Sequence, residues 1–150
     1  MHIRDFLAPE AVTLDLQAGN RDSVLPELVA LLKSGPRTEE SLLRLLKRRE
    51  EHGSTGIGRG IAIPHCRSTE VHRVRLAFGR HLGGIDYDSL DGGKVHTFFL
   101  IVAPPAETVP QYLPILGKIA TLGREADVPE RLMKLQNVEE LFKLLEEKGV

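Results

Sequence analysis

Gly53-Ser54-Thr55-Gly56-Ile57-Gly58-Arg59-Gly60-Ile61-Ala62-Ile63-Pro64-His65-Cys66 sets one histidine at the end of a short apolar run, behind a loop that carries four glycines. The glycines permit positive φ and close backbone approach, Ile61-Ala62-Ile63 reads as a buried strand, and Pro64 restricts the chain just before the imidazole. His65 is thereby presented by its surroundings. His2, His52, His72, His81 and His96 have no such setting, and each reads as a surface or satisfied core histidine.

Upstream of the loop, Val12, Leu14 and Leu16 alternate with Thr13 and Asp15, the pattern of a half-buried strand over 12–16. Asn20 is placed to cap a helix over about 21–33, and Pro26 moves its expected start toward Ser23 or Val24 so that the proline falls in the first turn. Thr38 opens a second helix reaching about Glu50, with Leu42, Leu43, Leu45 and Leu46 as its apolar stripe.

Downstream, residues 73–81 alternate Val74, Leu76 and Phe78 against Arg73, Arg75 and Arg80, which predicts a strand with one wet face. The nearly continuous apolar run Val95–Val102 predicts a central strand, which Pro104 and Pro105 stop. A helix is expected over about 110–122, with Pro114 in its first turn and Leu113, Leu116, Ile119 and Ala120 on the packed face. Two helical pieces, 129–135 and 138–147, complete a chain that reads as one α/β domain over residues 1–150.

With 20 basic and 21 acidic residues the formal charge is −1, which gives no global electrostatic case for nucleic acid or an anionic membrane. The single Cys66 excludes an internal disulfide framework and suits a reducing compartment. No apolar run is long enough to span a bilayer and no signal-peptide pattern opens the chain, so the expected location is the cytoplasm, without membrane insertion.

A glycine-rich loop has two readings: it supplies turn geometry, or its backbone N–H groups surround an anion. The pattern matches neither the dinucleotide fingerprint nor a Walker A loop. Zinc is disfavoured, because adjacent His65 and Cys66 do not reproduce a common ligand spacing and neither Cys-x-x-Cys nor His-Glu-x-x-His occurs. No serine sits in Gly-x-Ser-x-Gly, so a hydrolytic triad lacks its signature.

The stretch from Ser54 to His65 resembles the phosphoacceptor motif of enzyme IIA domains of the fructose/mannitol type (type 2) in the bacterial phosphotransferase system. Arg49-Glu50 resembles that family's Arg-Glu pair upstream of Ser-Thr-Gly. Gly84-Ile85, Leu90-Asp91-Gly92 and Val102-Ala103-Pro104-Pro105 are similar in order and spacing. Length and the lack of an attached domain look closest to the free-standing, nitrogen-regulatory branch.

The resemblance implies a mixed β-sheet flanked by α-helices, and neither a cofactor nor a metal is expected. It implies that His65 accepts a phosphoryl group from a histidine-phosphorylated, HPr-like carrier and passes it to an enzyme IIB-type acceptor or holds it as a regulatory signal. The alternative is a binding module of the same fold that recognises a transporter or kinase without turnover.

A neutral imidazole is a nucleophile near pH 7, and phosphoryl transfer needs in-line positioning and charge compensation. Arg49 is the preferred cation, ahead of Arg59 and Arg67, and Thr55 with the backbone of Gly56, Gly58 and Gly60 is expected to border the site. The family usually carries a second histidine in a His-Leu-x-x-Leu pattern on the following helix. Here the segment reads Tyr112-Leu113-Pro114-Ile115-Leu116, so Tyr112 replaces it, or Gln111 in the neighbouring register. A phenol donates a hydrogen bond but carries no positive charge, and it can equally be a packed aromatic. Cys66 reads as a small buried hydrophobe rather than a redox sensor.

Overall fold

A computed structural model describes residues 1–105 and 110–150. A single 3-10 turn, Ile3–Phe6, leads into β1 (Leu7–Thr13), α1 (Arg21–Ala30) and α2 (Pro36–Glu51). Three short strands follow, β2 (Gly56–Gly58), β3 (Ile61–Ala62) and β4 (His65–Arg67), and then the long strands β5 (Arg75–Ile85) and β6 (Val95–Ala103). Helices α3 (Tyr112–Arg124), α4 (Val128–Met133) and α5 (Val138–Glu147) close the chain.

The six strands form one mixed sheet in the order β1-β5-β6-β3-β2, with β4 also paired to β6. β5 and β6 are antiparallel, whereas β1 on β5, and β3 and β4 on β6, are parallel. Phe98 through Ala103 are all buried, because helices pack on the sheet and leave β6 no wet face. Around it Phe78 meets Phe99 edge-on at 5.0 Å, and Tyr87 meets Phe98 in the same way at 5.3 Å. The expected α/β architecture with a mixed sheet flanked by helices is therefore present.

Several boundaries differ from the sequence reading, each for a physical reason. The first strand covers 7–13 rather than 12–16. Pro9 argues against a strand, but β1 is an edge, and a bulge between Leu7 and Val12 absorbs the proline. Helix α1 starts at Arg21, not near Ser23, because the Oδ1 of Asn20 accepts from the Ser23 N–H at 2.9 Å and fixes the first turn regardless of Pro26. On α2 the fully buried positions are Leu42, Leu46 and Glu50, with Leu43 and Leu45 half-covered.

On α3 Pro114 does fall in the first turn, but the packed face is Tyr112, Ile115, Ile119, Leu122 and Gly123. Leu113 is 63% exposed. Arg80, expected on a wet face, is only 7% exposed. Its guanidinium donates to the carbonyl oxygens of Leu14 at 3.1 Å and Leu135 at 2.6 Å, and at 3.3 Å to those of Leu132 and Met133, so it fastens the end of α4 to β5.

Candidate functional site

His65 begins β4, which pairs with β6 in the register His65 with Ile101 and Arg67 with Ala103. Residues 61 and 62 of β3 use the same register against Thr97 and Phe98, so 61–67 is one line of chain interrupted at Ile63-Pro64. Pro64 keeps that line attached, since its carbonyl accepts from the Ile101 N–H at 3.0 Å. Strand alternation then puts His65 and Arg67 on one face and Cys66, 8% exposed, on the other.

The half-buried imidazole is oriented by its own backbone. Nδ1 lies 2.7 Å from the carbonyl oxygen of Ile63. A carbonyl can only accept, so Nδ1 carries the hydrogen and Nε2 holds the lone pair of the neutral ring. Burial holds the His65 pKa below the usual 6.5, and Arg49 adds to the effect. The Ile63 hydrogen bond and Glu50 pull the other way.

The support runs back to α2 through hydrogen bonds. Both oxygens of the buried Glu50 carboxylate accept from Thr55, from its N–H at 2.9 Å and from its hydroxyl at 2.5 Å. The carbonyl of Thr55 accepts from the Ile63 N–H at 3.0 Å, and Ile63 in turn holds His65. Arg49, one residue before Glu50, donates from Nη1 to the Gly53 carbonyl at 2.8 Å, which holds its guanidinium beside the loop.

Of the two readings for the glycine loop, the structure shows turn geometry. β2 and β3 form an antiparallel hairpin whose tip has Gly58 at φ +97° and Gly60 at φ +77°. The Gly56 N–H is taken by the Ser54 hydroxyl at 3.0 Å, and the Arg59 N–H by Asp91 at 3.0 Å. Gly56 also lies against Ser89, whose Cα would stand 3.0 Å from an added Cβ. Of the residues expected to border a bound anion, Thr55 gives its N–H and hydroxyl to Glu50 and Gly56 gives its N–H to Ser54, while Gly58 and Gly60 stand at the hairpin tip.

The residue facing His65 from α3 is Tyr112, not Gln111, with ring centroids 6.1 Å apart and planes tilted by 58°. Burial raises the Tyr112 phenol to about 12, with the Cys66 thiol adding to the rise, while Arg67 and Arg49 oppose it. The Arg67 guanidinium carbon sits 4.3 Å from the centroid of the same ring. Sequence reasoning ranked Arg67 below Arg49. Its signal was the two-residue step from His65, legible only once β4 is recognised as a strand of its own. Glu50 was legible only by resemblance. Arg59 lies elsewhere, donating to the Arg124 carbonyl at 2.5 Å.

Burial pushes the Cys66 thiol up to about 12, as suits a packed sulfur rather than a reactive one. Among the described residues no group of three or more His, Cys, Asp or Glu could hold a metal ion, and no helix is long and apolar enough to cross a membrane.

A model of the family described as phosphoenolpyruvate-dependent sugar phosphotransferase system, EIIA 2, matches residues 5–148. The chain belongs to that family. An EIIA chain is a component of a phosphotransferase system, and its similarity to known members runs through the whole fold. A nitrogen regulatory protein of Bradyrhizobium diazoefficiens is 31% identical over 97% of this chain and 95% of its own length. The PTS system fructose-specific EIIABC component of Bacillus subtilis is 30% identical over 97% of this chain, which spans only 23% of that larger protein. The crystal structure of nitrogen regulatory protein IIA-Ntr from Neisseria meningitidis superposes with a TM-score of 0.88 at 30% identity, covering 95% of this chain and 98% of that one.

Proposed function

We propose that this EIIA chain is a phosphocarrier whose phosphoacceptor atom is Nε2 of His65. The Ile63 hydrogen bond carries the reading, because it commits Nδ1 as a donor and leaves Nε2 as the ring's nucleophile. The depressed pKa keeps that nucleophile unprotonated at neutral pH.

The donor is the phosphohistidine of an HPr-like carrier protein. The Nε2 lone pair attacks phosphorus in line, the new N–P bond forms as the donor's N–P bond breaks, and the bonding pair returns to the donor nitrogen. A donor ring protonated on its other nitrogen leaves as neutral imidazole, so the positive charge passes to the His65 ring without a proton changing hands. There the Ile63 carbonyl stabilises it at Nδ1–H. Arg49, held beside the loop, supplies permanent charge for the phosphoryl oxygens. Onward transfer goes to an enzyme IIB-type acceptor, or the phosphorylated form serves as a regulatory signal in the cytoplasm.

The test is incubation with phosphoenolpyruvate, the first enzyme of the system and its carrier, followed by detection of phosphohistidine. Label on wild type and none on His65→Ala is expected, and equal label on both rejects the reading. Tyr112, an uncharged group where a second imidazole is expected, favours a second reading: a regulatory module that binds a transporter or kinase without turnover. Partner capture that is indifferent to His65→Ala and His65→Asp would support that module instead.

A further inference from the structure

We propose that Arg67 is a second phosphoryl-binding cation of this site, held over Tyr112 and supplying the charge that the phenol cannot carry. The proposal rests on the phosphoacceptor reading of His65. Three observations converge on it.

The first is position. His65 and Arg67 are alternate residues of β4, paired with Ile101 and Ala103, so their side chains leave the same face about 6.6 Å apart along the strand. The second is the shared platform. The imidazole lies 6.1 Å from the Tyr112 ring centre and the Arg67 guanidinium carbon 4.3 Å from it, so the aromatic ring gathers the nucleophile and the cation around itself.

The third is an unmet donor. Among the described residues Arg67 Nη1 is buried without a hydrogen-bond partner, and no carboxylate pairs with Arg67. A buried guanidinium N–H without an acceptor is unfavourable, and an arriving group rich in acceptor oxygens relieves it. Contact with the Tyr112 side chain restrains the guanidinium, whose donors share one plane, the fork geometry that engages phosphoryl oxygens.

The two arginines then differ in kind. Arg49 is tethered by Nη1 to the Gly53 carbonyl and acts electrostatically on the imidazole itself, whereas Arg67 is held against the Tyr112 side chain. Arg67 forms and breaks no covalent bond. It receives the oxygens of the phosphoryl group once Nε2 has gained phosphorus, and so lengthens the life of the N–P bond as well as speeding its formation.

The experiment compares wild type, Arg67→Gln, Arg67→Lys and His65→Ala in the phosphoenolpyruvate-driven labelling reaction, with 31P spectra of the labelled protein across pH. Arg67→Gln is expected to label His65 at least tenfold more slowly, to lose the phosphoryl group faster and to show a raised second ionisation of that group. Arg67→Lys, which keeps charge without the fork, falls between. Circular dichroism checks that all variants are folded, and the ionisation of the phosphoryl group would not move if Arg67 merely supported the fold. Labelling, lifetime and ionisation of Arg67→Gln equal to wild type overturn the role of Arg67 and leave the phosphoacceptor intact. Failure of wild type to label His65 overturns both.

Discussion

The Nδ1–H of His65 donates to the carbonyl oxygen of Ile63 across 2.7 Å, so the imidazole is oriented by backbone two residues before it. Because Ile63 is itself held by Thr55 and Thr55 by Glu50, the orientation of the ring is anchored in the last turn of α2.

The pH dependence follows in sign from burial, the largest influence on His65, which holds its pKa below 6.5. The ring stays neutral at pH 7, and phosphorylation should decline only as pH falls through the depressed midpoint. As pH drops below 6.5 the unfolded chain binds the proton first, so stability falls across the window between 6.5 and the folded pKa and then levels. An NMR titration of the His65 ring should give a midpoint below 6.5, and His65→Gln should remove this part of the stability profile. A midpoint at or above 6.5 would contradict burial as the dominant influence.

Glu50→Ala removes both acceptors of Thr55 and orphans a buried N–H, which costs about 1–3 kcal/mol. The backbone at Ile63 loses its brace at the same time, so labelling of His65 should slow beyond what the stability loss explains. Glu50→Gln should be milder, because the amide oxygen still accepts from the Thr55 N–H and the Thr55 hydroxyl can turn to accept from the amide. Urea denaturation and labelling rates on the two variants check the order, and equal effects would contradict it.

Cys66 should be inert in the folded protein. Its thiol, 8% exposed and pushed up to about 12, offers almost no thiolate at pH 8. A chromogenic disulfide reagent should react with it only at the rate of unfolding, and fully in denaturant. Rapid reaction under native conditions would reopen a redox role.

Much of the fold was legible because long apolar patterns decide it. The apolar run Val95–Val102 predicts a central strand, and β6 covers it and one residue more, while the expected helix over 138–147 matches α5 at both ends. β1 was misplaced because its proline is harmless only at a sheet edge, which a local pattern does not reveal. In the candidate site, His65 stands out through its glycine loop and Pro64, and Arg49 through motif resemblance. That Arg67 shares a face with His65 is hidden because Pro64 conceals that the chain re-enters the sheet at His65, and the bond of Thr55 to Glu50 is hidden because it depends on the turn between α2 and β2. Resemblance locates chemistry, but which donors are already spent is a tertiary fact.

Arg80 is the clearest such fact outside the site. Its alternating position predicts a wet face, yet tertiary packing supplies four carbonyl acceptors, three of them at and beyond the end of α4, where helix carbonyls lack partners. Hydrogen bonds from a charged donor contribute about 1.5–3 kcal/mol each before the cost of burying the guanidinium is set against them. Arg80→Ala, which strips all of these carbonyls of their donor, should therefore lose about 3 kcal/mol in urea denaturation at pH 7. Arg80→Lys should recover only part, since one ammonium cannot span from Leu14 to Leu135 as the fork does. Full recovery by lysine would mean that charge at this position, and not the geometry of the guanidinium, joins α4 to the sheet.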